Sequence, residues 1–211
     1  MGNVSDAAAL TFFERAHEAF EAAEQAASEV VSRDYRLGER RVRLRFAGNA
    51  LVAAITPALA HLATPLDAGA PRLTIGLWDS ASTGTRLPGP PWPMSDFGAR
   101  REIRGYNDGR IRTAFDVGSG VLSLLDLEKN LALYWVRDAQ QLPDYERAAP
   151  LLPILHWWMQ AHGRQLAHGA AIGTPAYPPL LPWARAIPKR HEMQRTRAPK
   201  RGRERNICLT P

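Results

Sequence analysis

Cysteine is almost absent: the only one among 211 residues is Cys208. The chain can therefore build neither a disulfide framework nor a cysteine-based zinc site, and thiol redox chemistry is not expected. Long apolar runs are missing as well. No stretch approaches the roughly 18 apolar residues that a membrane-spanning helix needs, and Asp6 and Glu14 stand where a signal peptide would be basic and then hydrophobic. A cytoplasmic location and no membrane partner are the expectation. Basic residues are concentrated in one region. Residues 185–205 hold nine basic side chains against Glu192 and Glu204, a balance of +7, which leaves 18 Lys and Arg against 19 Asp and Glu elsewhere, or −1. The net charge of +6 thus belongs to a terminal segment, not to a basic folded face.

What is present is ample apolar material. A hydrophobic fraction of 45% can bury a core in one domain, or in a domain with an appendage. Residues 7–31 are predicted to be a helix, because Phe12, Ala16, Phe20, Ala23, Ala27 and Val30 recur at spacings of three and four. Ser5 and Asp6 can cap it, and Gly38 follows in a short polar connection. Arg41 to Phe46 then alternate strictly, three arginines against three apolar residues, which predicts a half-buried strand with its arginines on the wet face. Residues 49–62 read as an apolar helix limited or kinked by Pro57, and 73–78 as a central strand. The Gly-, Pro-, Ser- and Thr-rich stretch up to Pro93 reads as a long loop.

Four strand-like segments follow, 102–106, 110–115, 121–125 and 131–136. They are separated by Asn107-Asp108-Gly109, Gly118-Ser119-Gly120 and residues 126–130, all suited to hairpin turns, so an antiparallel meander is expected. Pro150 opens a second helix that Gly163 stops. Trp157 and Trp158 within it read as core residues. Residues 165–173 read as a compact strand rich in small residues. From Thr174 the pattern fails: Pro175, Pro178, Pro179, Pro182, Pro188 and Pro199 interrupt every element, and arginines accumulate without period. The predicted fold is therefore α+β, with helices packed on a mainly antiparallel sheet in residues 1–173 and a disordered Pro- and Arg-rich tail over 174–211.

The stretch from Gly105 to Gly173 contains Gly105-Tyr106-Asn107-Asp108-Gly109-Arg110-Ile111-Arg112, Asp126-Leu127-Glu128-Lys129-Asn130-Leu131-Ala132-Leu133-Tyr134-Trp135-Val136 and Leu142-Pro143-Asp144-Tyr145-Glu146-Arg147-Ala148-Ala149-Pro150-Leu151. Leu155-His156-Trp157-Trp158 and Gly163-Arg164-Gln165-Leu166-Ala167-His168-Gly169-Ala170-Ala171-Ile172-Gly173 complete it. Together these words resemble the amino-terminal part of an uncharacterised bacterial family related to HPr serine kinase. The resemblance implies that His168-Gly169 matches a His-Gly pair on the strand leading into the nucleotide-binding core, with His168 at the family's active-site position. ATP and magnesium are implied only for an intact member.

In such a member GxxxxGK[ST] should follow, since its backbone N–H groups cradle the phosphates while Lys and the hydroxyl engage outer oxygens and magnesium. No Gly-Lys-Ser or Gly-Lys-Thr occurs, and Gly202 is the only glycine after Gly173. Without that cradle, His168 is not expected to be competent, and neither a cofactor nor kinase activity is expected. Trp183-Ala184-Arg185-Ala186 can be encoded so that a two-base shift reads Gly-Lys-Ser. The tail thus has two readings, a genuine terminus or a frame change that truncates the protein before the phosphate loop.

Other constellations read as structural. His156, His162 and His168 recur every six residues, which sends the first two to divergent helix faces, so no metal site is expected. Asp116 and Asp126 lie beside turns, where carboxylates accept backbone hydrogen bonds, and Ser119 reads as a turn serine. Function is then expected to be that of a noncatalytic or incomplete HPr-kinase-like protein, an interaction or substrate-docking module for a protein partner, with the arginines of 41–45 as a contact. The alternative is nonspecific nucleic-acid binding through Arg185, Lys189, Arg190, Arg195, Arg197, Lys200, Arg201, Arg203 and Arg205. Clustered cations bind phosphates by counterion release. Only Tyr177 and Trp183 could stack on bases, both ahead of the cluster.

Overall fold

An alanine-rich sequence with an apolar stripe at helical spacing forms the first helix, α1, Val4–Ala26. Phe12, Phe13, Ala16, Phe20 and Ala23 of that stripe are buried, while Glu14, Glu18 and Glu21 face solvent. The helix stops before the predicted end at residue 31, because Val30 opens strand β1, Val30–Leu37. Gly38, at φ 62°, supplies the left-handed conformation of a two-residue turn into strand β2, Arg40–Ala47. In this computed structural model the described residues are 4–66, 69–97, 101–107, 109–164 and 166. All belong to one compact unit, Met1–Leu166. The strand expected over 165–173, apart from Leu166, and the tail expected from 174 lie outside the described residues.

Beyond β2 come helix α2, Val52–Leu59, strand β3, Ala63–Thr64, and strand β4, Leu73–Asp79. Pro57 limits α2, which passes into a 3-10 turn over Ala60–Leu62. A four-residue helix α3, Ser80–Thr83, follows β4 inside the stretch expected to be loop. Strands β5, Ile111–Asp116, β6, Val121–Asp126, and β7, Leu131–Val136, form the expected meander. Helices α4, Asp144–Ala148, and α5, Leu152–Ala161, close the described chain.

Among the described residues the strands make one seven-stranded sheet in the order β3-β1-β2-β4-β7-β6-β5. Four of its six pairings are antiparallel; β2 with β4 and β4 with β7 are parallel. The fold is α+β, as the sequence predicted. Successive side chains of a strand point to opposite faces, so β4 sends Leu73, Ile75 and Leu77 to a core shared with α2 and α5, and Trp78 to a second core under α1. Trp92 and Ile103, from the long connection, join α1 on that face. Gly76 is required where α1 crosses β4: a Cβ there would lie 2.7 Å from the Phe20 ring. Both Trp157 and Trp158 are buried, as expected of a core helix. Among the described residues no helix is long and apolar enough to cross a membrane.

One predicted strand does not form. The 102–106 segment makes only single bridges, Phe97 with Ile103 and Glu102 with Ala114, before the chain turns at Gly105, φ 79°.

Candidate functional site

Among the described residues β5 ends the sheet, and an edge strand presents unpaired N–H and C=O groups that invite association. The failed strand closes that edge in another way. The Phe115 N–H donates to the Arg101 carbonyl at 2.9 Å, and the Ile103 N–H to the Thr113 carbonyl at 3.4 Å. Asn107 then substitutes for a strand residue: its Nδ2 donates to the Thr113 carbonyl at 2.8 Å and its Oδ1 accepts from the Thr113 N–H at 2.7 Å. The segment is thereby fixed alongside β5.

Arg101, in the left-handed region at φ 65°, gathers a group of perturbed titrating side chains. Its Nη1 lies 2.9 Å from Glu146 Oε1 and 3.0 Å from Asp116 Oδ2, with the guanidinium 5.1 Å over the Tyr145 ring. Tyr134 donates its hydroxyl to Glu146 Oε2 at 3.2 Å, and Tyr145 donates to Asp116 Oδ2 at 3.0 Å. The Gly118 N–H and the Ser119 hydroxyl complete the shell of Asp116. Burial raises Glu146 above the ordinary carboxyl range despite Tyr134 and Arg101. Asp116 is lowered, because hydrogen bonds from Ser119 and Tyr145 and the Arg101 charge outweigh its burial. Perturbed groups of this kind mark candidate catalytic sites, yet every carboxylate oxygen here already has a partner. The cluster acts as a clasp joining Arg101, the β5–β6 turn, β7 and α4.

Several other charged groups are likewise committed. Asp126 accepts from the Glu128 and Lys129 N–H groups, as its place beside a turn predicted, and pairs with Arg110 at 2.6 Å. At the carboxyl ends of β4 and β7, Asp79 caps α3 through the Ser82 N–H, and Asp138 accepts from the Gln140 N–H. The arginines expected as an exposed contact are tied into the fold. Arg41 donates to the Gly69 carbonyl at 2.7 Å, Arg43 pairs with Asp34 at 2.8 Å, and Arg45 pairs with Glu24 while lying over Phe20. The alternating face is crossed by α1 and is not simply the wet side of a sheet. His162 engages the Trp158 carbonyl through Nδ1 at 2.7 Å. Among the described residues no group of three or more His, Cys, Asp or Glu is placed to hold a metal.

A groove between the 102–107 segment and α5 differs from these clusters. It measures about 380 Å³ and is lined by Glu102, Asn107, Arg112, Leu127, Trp157 and Gln160. Trp157 donates its indole N–H to Glu102 Oε1 at 3.3 Å, which orients both side chains. The half-buried Arg112 guanidinium has no ion-pair or hydrogen-bond partner among the described residues. The groove therefore holds one uncommitted cation beside one carboxylate and an aromatic wall. Both tryptophans are expected in the core. That describes Trp158, whose Nε1 donates inward to Asn130 at 2.9 Å, but Trp157 also borders the groove.

No family model, curated protein or solved structure matches this chain. His168 and the nine basic residues of 185–205 lie outside the described residues.

Proposed function

We propose that the chain is a noncatalytic HPr-kinase-like protein whose folded part is an interaction or substrate-docking module. The observation that carries this reading is the groove beside α5, where Arg112 stands without a partner next to an oriented indole. Partner binding draws on such sites, because a desolvated arginine and an aromatic surface supply most of the energy in many interfaces. The family-like words of residues 105–173 support the same reading, since this stretch contributes Arg112, Leu127 and Trp157 to the groove. The reading assigns no ATP, magnesium or other cofactor.

Binding of the protein encoded beside this gene, measured calorimetrically, tests the proposal. Affinity that survives removal of residues 174–211 and falls in Arg112→Ala supports docking through the groove. Affinity that vanishes with the tail and is indifferent to Arg112 opposes it. The charge of residues 185–205, nine cations against two acids, favours a second reading, nonspecific nucleic-acid binding. Its signature is retention on both DNA and RNA that weakens steeply with salt and disappears when the tail is deleted.

A further inference from the structure

We propose that the groove beside α5 is a site for a peptide carboxylate, seated on Arg112 with a neighbouring peptide N–H directed to Glu102. The inference rests on the docking reading and names the chemistry of what docks. Three features of the groove select that chemistry. First, a guanidinium presents paired N–H donors that match the two oxygens of a carboxylate, and Arg112 spends none of them on another described residue. Second, Glu102 contributes a negative charge to the same groove. Because only its Oε1 is engaged, by the Trp157 N–H, Oε2 is available to accept a hydrogen bond.

A doubly charged phosphate beside Arg112 would also meet Glu102 and be repelled. A singly charged carboxylate with an adjoining N–H satisfies both side chains. Third, Leu127 and Trp157 supply an apolar wall for the carbon skeleton between those polar ends. The volume of about 380 Å³ falls at the small end of ligand sites, which span roughly 300–1,000 Å³, and suits one or two residues of an extended peptide. Capture of a terminal carboxylate is a recurring mode of peptide recognition.

The Trp157 indole N–H is the natural reporter, because it sits on the Glu102 carboxylate. Its nitrogen–proton resonance in the full-length protein is followed during titration with four probes: the tripeptide Ac-Gly-Gly-Ala with a free carboxyl terminus, the same peptide amidated, Ac-Gly-Asp-Gly amide, and inorganic phosphate. A saturable shift with either carboxylate peptide, and none with the fully amidated one, is expected. The first and third probes distinguish a chain terminus from an acidic side chain as the source of the carboxylate. Arg112→Gln should weaken that binding by about tenfold or more while the remaining spectrum stays folded, and Arg112→Lys should restore part of it. No saturable response to any carboxylate peptide, an equal response in Arg112→Gln, or preference for phosphate overturns the inference. Docking of a protein partner with no peptide response at Trp157 overturns it too, yet leaves the docking reading in place; a peptide response without a protein partner does the reverse.

Discussion

Asp34 and Arg43 face each other in register across the β1–β2 ladder, and their side chains join in a two-pronged ion pair, Nε to Oδ1 at 2.8 Å and Nη2 to Oδ2 at 2.9 Å. The Asp34 side chain is wholly inaccessible, whereas that of Arg43 retains 26% of its exposure. Removing the carboxylate takes this two-pronged partner from a partly buried guanidinium, and breaking a buried pair from one side costs about 3 kcal/mol or more. Asp34→Ala is expected to lower the unfolding free energy, measured by urea denaturation, by that order. A double variant that also replaces Arg43 with Met should recover part of the loss.

Gly76 bears on how close α1 can lie to the sheet. A methyl at this position would sit 2.7 Å from the Phe20 ring, well inside van der Waals contact. Overpacking of this kind costs about 1–3 kcal/mol. Gly76→Ala should therefore destabilise the protein, and Phe20→Leu in the same chain should reduce the penalty. Chemical denaturation of the two single variants and the double variant reads the coupling directly.

The two carboxylates on Arg101 should respond to pH in opposite senses. Asp116 is lowered from its ordinary value of 3.8, so its contribution to stability is complete above the unfolded value and is lost as pH falls through the folded one. Glu146 is raised from 4.5, so its contribution is complete below that value and is lost as pH rises through its folded value. The stability gap between wild type and Asp116→Asn should shrink on acidification below about pH 4. For Glu146→Gln, wild type should lose ground relative to the variant as pH rises above about 4.5. Thermal melts across pH 3–8 would show parallel profiles if the clasp did not exist.

Asn107 is expected to act as an edge guard. Replacing it by Ala leaves the Thr113 N–H and carbonyl on β5 without their side-chain partners, at a cost of about 1–3 kcal/mol where they remain buried. It also opens part of a strand edge to pairing with another molecule. Sedimentation velocity should show concentration-dependent association for Asn107→Ala and a single species for wild type.

The sequence made β4, β6 and β7 legible because their apolar runs and the intervening turns carry local signals. β1 was hidden for a tertiary reason. Asp34 is buried by its pairing with Arg43, which breaks the alternation, and Val30 continues the helical spacing of α1 instead of announcing a strand. The segment 102–106 has strand-like composition, but the chain leaves the ladder after Ile103, and the Asn107 amide performs the pairing. α4, at five residues, is too short to show a period. The turn roles of Asp116 and Asp126 could be read from neighbouring glycine and polar residues, whereas their ion pairs with Arg101 and Arg110 could not. The groove was invisible for the same reason: Trp157 lies far along the chain from Glu102 and Arg112, and nothing local separates Trp157 from Trp158.

Docking through the groove requires that the folded part be a self-sufficient module, able to present the groove without residues 174–211. The decisive measurement is to heat residues 1–173 beside the full-length chain and follow both by circular dichroism. The account predicts one sharp transition at closely similar temperatures in both; aggregation of the shorter chain, or no cooperative transition, would contradict it and mark the chain as a fragment without an independent fold.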